Sequence, residues 1–562
     1  MTVVLDIRTL SVGLPAQADR SHALDAISLD LRSNEILCVV GESGSGKSVT
    51  AGAILGLLPK TLPVHGGEIL FEGQDLLALS PQALRKVRGA RIGMIFQEPM
   101  SALNPLHTIG EQIGEVFRIH TKVRNREIDA RILALLKDVG LPEPEHARNA
   151  YPHELSGGQR QRAMIAMALA LQPAVLIADE PTTALDVTTQ ARVLDLIRGL
   201  QSKYGMAVLF ITHDFGVVAE IADRVAVMQH GRIVEIGEAN QVLNAPVHPY
   251  TRGLIAAVPG IAPRPTKHEQ NRSSIALPTA DEGPDERHAA LTVSSLTKTY
   301  RGKGFTRQAR VTHALRGVSL TVRQGETLGI VGESGSGKST LARCIMQLTD
   351  IDAGTIHVGT TELASLSHKQ RRAHAPKIQM VFQDPHGSLN PRRTVGDLIS
   401  QGPIIHGIPV AHAHAQAREL LALVGLERSA FDRFPHEFSG GQRQRIGLAR
   451  ALALKPDVLV ADEPVSALDV SIQAQVLSML AQLREKLNLS LVFITHDLRV
   501  AAEICDRIAV MKDGEIVEIG DTETVFTTPA HPYTRQLLDS VLGREWFGLV
   551  ERRRLATELI AA

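Results

Sequence analysis

The octapeptide GESGSGKS occupies Gly41–Ser48 and returns letter for letter at Gly332–Ser339. Both copies have the form GxxxxGK[ST]. In such a loop the glycines let successive backbone N–H groups face one phosphate, the lysine reaches the β- and γ-phosphates, and the hydroxyl binds Mg²⁺. The candidate nucleotide ligands are therefore Gly41, Ser43, Gly44, Gly46, Lys47 and Ser48, and again Gly332, Ser334, Gly335, Gly337, Lys338 and Ser339. An apolar run precedes each loop and a helix-forming segment follows it, which is the context the motif requires. One loop indicates a nucleotide. Two complete sets in one chain indicate two nucleotide sites that work as a pair.

Further motifs follow each loop in the same order. Gln97 pairs with Gln383, Ser156 with Ser439, Asp179 with Asp462, and His213 with His496. The repeat is too long for a solenoid and reads as a tandem duplication of one domain. The expected division is a first nucleotide-binding domain over 1–261, a linker over 262–290, a second domain over 291–542 and a helical tail over 543–562. The linker is rich in Pro, charge and small polar residues and has no apolar periodicity. In the tail, Arg552, Arg553 and Arg554 read as a solvated helix face.

Short Val/Ile/Leu runs alternate with helical stretches within each copy. Ile36–Val40 precedes the first loop, Ile92–Phe96 precedes Gln97, Val175–Ala178 precedes Asp179, and Val208–Thr212 precedes His213. Such runs between helices predict a buried, mostly parallel α/β sheet. Each polar residue then stands just past a strand, where open α/β sheets bind ligands.

Composition narrows the function classes. Lys and Arg number 60, as do Asp and Glu, which argues against a nucleic-acid partner. Aromatics are 3% of the chain, so stacking platforms for single strands are scarce. Cys38, Cys344 and Cys505 form no CxxC pair, so neither a disulfide framework nor a zinc site is expected, and a reducing compartment fits. The start MTVVLDIRTL has no basic, then apolar, leader pattern, and no run approaches the ~18 apolar residues of a membrane span. A membrane role is expected to come through a partner.

The remaining motifs carry chemistry. Asp179 and Asp462 are suited to holding Mg²⁺ through water, and Glu180 and Glu463 to polarising an attacking water. LSGGQ at Leu155–Gln159 and FSGGQ at Phe438–Gln442 each open a helix. Their Ser156, Gly157, Gly158 and Ser439, Gly440, Gly441 present free N–H donors at a positive dipole end, suited to a phosphate. As lone features, an Asp-Glu pair is more often a helix cap or a solvated turn, and a Ser-Gly-Gly start is a glycine-rich cap as often as a phosphate site. Recurrence in series, in both copies, reverses that reading.

This order of phosphate loop, Gln97, LSGGQ, Asp179–Glu180, Ala184–Asp186 and His213 resembles the nucleotide-binding domain of ABC ATPases. The second copy, with Gln383, FSGGQ, Asp462–Glu463, Ala467–Asp469 and His496, does the same. HPYTR at His248–Arg252 and His531–Arg535 resembles the tail of the oligopeptide/dipeptide/nickel importer branch. The endings GKSV and GKST resemble two importer ATPase subunits fused in one chain, as in peptide and glutathione importers. The resemblance implies head-to-tail pairing of the two domains around two Mg·ATP. Lys47 and Ser48 would be completed by Ser439 and Gly441, and Lys338 and Ser339 by Ser156 and Gly158. Gln97 and Gln383 would join Ser48, Asp179, Ser339 and Asp462 at the magnesium and sense the γ-phosphate, which His213 and His496 would hold. The implied partners are two transmembrane permeases and an extracytoplasmic solute-binding protein. The implied location is the cytoplasmic face of the inner membrane, and peptides are the favoured cargo, with glutathione and nickel open.

Some positions depart from the pattern. An aromatic that stacks on adenine in this family is matched by Tyr300, whereas Leu10–Leu14 in the first copy has none. The first site is therefore expected to bind ATP more weakly. Phe438 replaces the usual Leu of the signature, an apolar exchange of little consequence. His412 and His414, two residues apart on an Ala-rich helix, do not share a face and read as incidental. The competing reading is a tandem ABC translation factor acting on ribosomes. Such factors carry a long, charged inter-domain arm, whereas this linker contains Pro and is poor in Lys and Arg.

Overall fold

The computed structural model describes residues 2–260, 289–301 and 311–547, apart from positions 17, 19, 183, 184 and 467. It divides into two units, Met1–Val258 with Leu542–Ala562, and Pro259–Val541. The linker at 262–290 lies outside the described residues except for 289 and 290, as do Ala184, Ala467 and the arginines at 552–554.

In the first unit the strands are β1 (Val3–Gly13), β2 (His22–Arg32), β3 (Ile36–Val40), β4 (Val64–Phe71) and β5 (Gln74–Asp75). They continue with β6 (Ile92–Ile95), β7 (Val175–Asp179), β8 (Ala207–Ile211), β9 (Arg224–Gln229) and β10 (Arg232–Glu238). One sheet has the order β10-β9-β3-β8-β7-β6 and is parallel except at the β10 edge. Every residue of β3, β7 and β8 is buried, which explains why these strands read as unbroken apolar runs. Each fully buried Val, Leu or Ile side chain contributes about 1.5–3 kcal/mol.

A second, four-stranded antiparallel sheet of order β2-β1-β4-β5 packs into the same core. It goes beyond the single parallel sheet that the apolar runs predict. Along β1 the buried apolar side chains are Leu5 and Ile7, then Leu10 and Val12, so the alternation slips between Ile7 and Leu10. The slip is a bulge at which Thr9 takes a φ of 46°. A period-two pattern that breaks in its middle does not register as a strand.

The second unit repeats the plan with β11 (Ala289–Arg301), β12 (Val311–Arg323), β13 (Thr327–Val331), β14 (Ala353–Val358) and β15 (Thr361–Glu362). Then come β16 (Ile378–Val381), β17 (Val458–Asp462), β18 (Ser490–Ile494), β19 (Arg507–Lys512) and β20 (Glu515–Asp521). The sheet orders are β12-β11-β14-β15 and β16-β17-β18-β13-β19-β20, and the same bulge recurs at Ser295, with φ 50°.

A helical subdomain lies between β6 and β7. Its helices Ile109–His120, Asn125–Asp138 and Pro144–Asn149 pack on one another and on Gly157–Ala168. The first of them starts in a capping box, with Glu111 N–H donating to Thr108 Oγ1 at 3.3 Å and Thr108 N–H to the Glu111 carboxylate at 2.8 Å. Val395–Ile405, Val410–Leu423 and Gly440–Leu452 are the counterparts in the second unit. On Val410–Leu423, His414 sets its ring edge-on to Phe431 at 5.1 Å.

The last described residues belong to the first unit. Positions 544–547 form a helical turn, and the chain's one tryptophan, Trp546, stacks on Phe215 with centroids 6.5 Å apart. Leu542, Trp546 and Phe547 are buried there. Phe215 begins the helix Phe215–Ile221, two residues beyond His213, so this segment packs on the helix that follows one of the candidate site residues. No helix among the described residues is long and apolar enough to cross a membrane.

Candidate functional site

In each unit the loop, glutamine, Asp-Glu and histidine candidates collect at the carboxyl edge of the parallel sheet, apart from the signature residues. The phosphate loop leaves β3, and Gln97, Asp179–Glu180 and His213 leave β6, β7 and β8. The loop's conformation needs glycine. Gly41 has a φ of 153°, and a Cβ there would stand 2.2 Å from the Met228 carbonyl oxygen; at Gly46, φ 108°, it would stand 2.9 Å from that of Ala23. Gly332 and Gly337 repeat this against Met511 and Ala314. Ser43, Gly44, Ser334 and Gly335 form the exposed crest. Lys47 is buried and donates to the carbonyls of Gly41 at 2.7 Å and Glu42 at 2.9 Å. Lys338 does the same to Gly332 at 2.7 Å and Glu333 at 2.8 Å. These carbonyls hold the ammonium where it can turn to a phosphate.

Beside the loop, Ser48 Oγ donates to Asp179 Oδ1 at 3.1 Å, and Ser339 Oγ to Asp462 Oδ1 at 3.3 Å. Burial raises the pKa of both aspartates, and the neighbouring Glu180 or Glu463 charge adds to the rise. Hydroxyl and carboxylate are hard oxygen donors. Mg²⁺ keeps several waters and takes phosphate oxygens, so it needs only one or two such side chains, and this donor set fits it.

Glu180 is the centre of the next cluster. Gln97 Nε2 donates to its Oε2 at 2.9 Å, and His213 Nδ1 lies 3.2 Å from its Oε1. In the second unit Gln383 Nε2 donates to Glu463 Oε2 at 2.8 Å, with His496 Nδ1 at 3.2 Å. Burial alone would raise Glu463, but the hydrogen bond and charge of His496, with Lys338, outweigh it and lower its pKa. His496 moves the other way: burial opposes its charge, yet Glu463 and Asp497 raise it above 6.5. Both glutamates have a φ of 45°, a left-handed backbone for a non-glycine residue, which costs on the order of 1–3 kcal/mol. The hydrogen bonds from Glu180 N–H to Ile211 and from Glu463 N–H to Ile494, each 2.9 Å, hold that conformation. Such strain collects at functional sites.

The signature segments start helices as expected. Gln159 N–H donates to Ser156 Oγ at 3.3 Å, and Gln442 N–H to Ser439 Oγ at 3.4 Å. Their glycines differ in kind. A Cβ on Gly158 would lie 2.8 Å from Thr189 Cγ2, and one on Gly441 2.5 Å from Ile472 Cγ2, so helix packing requires these two. A Cβ on Gly157 or Gly440 would meet nothing within 4 Å. Ser156, Gly157, Ser439 and Gly440 are all exposed. Phe438 is buried, with Arg433 over its ring at 4.4 Å.

Tyr300 lines a cavity of about 630 Å³ in the second unit, together with Ser334, Lys338, Ser339, Gln383 and Glu463. The volume suits a nucleotide-sized ligand. In the first unit Leu14 packs partly buried against the core.

Three contacts had no signal in the motif pattern. Arg20 donates to the Gly44 carbonyl at the crest of the first loop. Tyr250 and Tyr533, from the HPYTR motifs, reach the second residue of each loop. The tyrosines were legible as part of a tail motif, but nothing in one sequence says that a tyrosine 208 or 200 residues downstream folds back on the loop.

The family model for ABC transporters matches residues 24–183 and 315–466. The model for the oligopeptide/dipeptide transporter C-terminal region matches 234–284 and 517–545. The peptidoglycan transport ATP-binding protein YejF of Agrobacterium fabrum is 46% identical over 96% of this chain and 97% of its own length. The glutathione import ATP-binding protein GsiA of Pectobacterium atrosepticum is 46% identical over 96% of this chain and 89% of its own. The solved dimeric cassette MJ0796, in a post-hydrolysis state, aligns at 30% identity over 41% of this chain and 98% of its own, with a TM-score of 0.38. The ribosomal alternative finds no support among the matched families.

Proposed function

Starting from a chain that belongs to the ABC transporter family, in its oligopeptide/dipeptide importer branch, we propose that its two units pair with each other around two Mg·ATP and drive uptake of a peptide-containing solute. The chain is an ATP-hydrolysing importer subunit with a duplicated ATP-binding domain. ABC ATPases use ATP with Mg²⁺, and importer ATPase subunits work with membrane permeases. The finer reading concerns this chain's own residues. Lys47 and Lys338 bind the β- and γ-phosphates, and the loop N–H groups cradle them. Ser48, Asp179 and Gln97, and Ser339, Asp462 and Gln383, hold the magnesium, which shields phosphate charge when bound. Glu180 and Glu463 orient and deprotonate the attacking water. His213 and His496, paired to those glutamates without nucleotide, turn to the γ-phosphate. Tyr300 stacks on adenine at the second site.

The observation that carries intramolecular pairing is the duplication, which puts two complete sets of loop and signature in one chain, with open space around the signature glycines Gly157 and Gly440. Their own unit does not need glycine there, whereas a phosphate approaching a helix start does. Ser156 and Gly158 complete the site at Lys338, and Ser439 and Gly441 the site at Lys47. The solute reading rests on relatives named for glutathione and for peptidoglycan, which have a short peptide in common. The working assembly is two permeases, a solute-binding protein outside the membrane and this chain on the cytoplasmic face. The test of pairing is ATP trapping in a Glu180→Gln, Glu463→Gln double variant. Two ATP retained per monomeric chain supports it, and trapping only in a dimer of chains refutes it. Uptake of labelled di- and tripeptides, glutathione and nickel by host cells with and without the gene tests the solute. Loss of nickel uptake alone would overturn the peptide assignment.

A further inference from the structure

The HPYTR motif is built as a lever whose tip is a tyrosine hydroxyl. Its histidine caps a helix: His248 Nδ1 accepts from Tyr250 N–H at 3.2 Å, and His531 Nδ1 from Tyr533 N–H at 3.1 Å. The proline sits at the first helical position of Pro249–Ala256 and Pro532–Asp539, where no N–H is needed. The arginine closes the turn, Arg252 donating to the Val247 carbonyl at 2.7 Å and Arg535 to that of Pro529 at 3.0 Å. A carboxylate on the sheet edge anchors the start. Glu235 in β10 accepts from Val247 and His248 N–H at 2.8 and 3.0 Å. Glu518 in β20 accepts from Ala530 and His531 N–H at 2.8 and 3.0 Å.

All of this fixes one atom. Tyr250 Oη accepts from the N–H of Glu42, the second residue of the phosphate loop, at 3.2 Å, and lies 3.2 Å from the Glu42 carboxylate, to which it donates. Tyr533 Oη accepts from Glu333 N–H, again at 3.2 Å. Lys512 adds its ammonium over the Tyr533 ring at 4.7 Å. The same residue that meets the tyrosine at its N–H meets the loop lysine at its carbonyl: Lys47 Nζ on Glu42 at 2.9 Å, Lys338 Nζ on Glu333 at 2.8 Å. One residue of the loop is thus held from both sides, by the tail and by the phosphate-binding lysine.

We infer that Tyr250 and Tyr533 are positioning residues for ATP, holding the phosphate loop at its second residue and tying nucleotide binding to the C-terminal tail motif. The inference rests on the nucleotide-site reading of the loops and adds the tail to it. When Lys47 leaves the Glu42 carbonyl for a phosphate, the hydroxyl keeps that residue oriented. By linkage, nucleotide on the loop steadies the tail helix as much as the tail steadies the loop.

The test uses the full chain with one loop disabled at a time. Tyr250→Phe is placed with Lys338→Ala, and Tyr533→Phe with Lys47→Ala. Phenylalanine keeps the ring and its packing and removes only the hydroxyl, leaving a loop N–H without its acceptor. The expected result is a roughly 5- to 30-fold weaker Kd for a fluorescent ATP analogue. Relative to the chain that carries the same lysine substitution alone, KM for ATP rises alike while kcat is unchanged. Hydrogen exchange on the unmutated chain gives a second reading that needs no variant. The amides of residues 250–253 and 533–536 slow when Mg·ADP is added. Parent affinity in both Phe variants, or tail amides indifferent to nucleotide, overturns the inference while leaving the ATPase reading intact. A parent chain that binds no ATP at either loop fails the ATPase reading itself.

Discussion

Glu463→Gln is the most informative single change. In the nucleotide-free site the half-buried carboxylate accepts from Gln383 at 2.8 Å and pairs with His496 at 3.2 Å. Glutamine keeps the shape but cannot take a proton from water, and it turns an amide N–H₂ toward one of the two donors. A general base contributes roughly 10²–10⁴ in rate, so turnover at that site falls to about 1% or less. Independent sites would leave the chain about half its rate, and sites that share one closure less than half, because the stalled site keeps the pair shut. The first-unit change Glu180→Gln has the same contacts to lose, from Gln97 at 2.9 Å and His213 at 3.2 Å, and the same expected effect. The assay is phosphate release at saturating Mg·ATP, with ATP affinity measured alongside and retained. An unaffected rate in either single variant refutes the reasoning that both glutamates act as bases.

Other outcomes follow from the same geometry. With the first loop disabled by Lys47→Ala, Tyr300→Ala removes a stacking contact of roughly 1–3 kcal/mol, so the second site's Kd for ATP rises about 5- to 150-fold; titration with a fluorescent analogue reads it. In the absence of nucleotide, the His496 imidazole resonance titrates above 6.5 and returns downward in Glu463→Gln. The sign is fixed by the two shifts: the raised His496 gives a contribution complete below 6.5 and lost as pH rises through its folded value, and the lowered Glu463 one present above 4.5 and lost as pH falls through its own. Gly157→Ala folds with the parent thermal midpoint but loses ATP turnover, whereas Gly158→Ala, which meets Thr189 at 2.8 Å, lowers the midpoint; thermal unfolding and phosphate release separate them, and equal stability loss in both would refute the distinction.

How much of this was legible in the sequence depends on whether a feature is local. The phosphate loops, Asp179–Glu180 and the helix starts at Ser156 and Ser439 declare themselves, because each is a run of adjacent residues whose type and order fix its conformation. The buried strands β3, β7 and β8 were legible for the same reason: all-apolar runs of five or so residues between helices have few other uses. The antiparallel sheet was not, since the bulges at Thr9 and Ser295 shift the inward face by one residue in mid-strand. Contacts across long separations were not legible either. Tyr250 on Glu42, Arg20 on Gly44 and Trp546 on Phe215 depend on how the sheet brings distant segments together. The left-handed backbone at Glu180 and Glu463 has no sequence signal at all, because glutamate is not a residue that favours it.

The most direct test of the account is capture of the tagged chain from detergent-solubilised membranes of its native host, with identification of what accompanies it. The account predicts two multi-span permeases, held more firmly with ATP in the Glu180→Gln, Glu463→Gln double variant. Ribosomal proteins without permeases would contradict it.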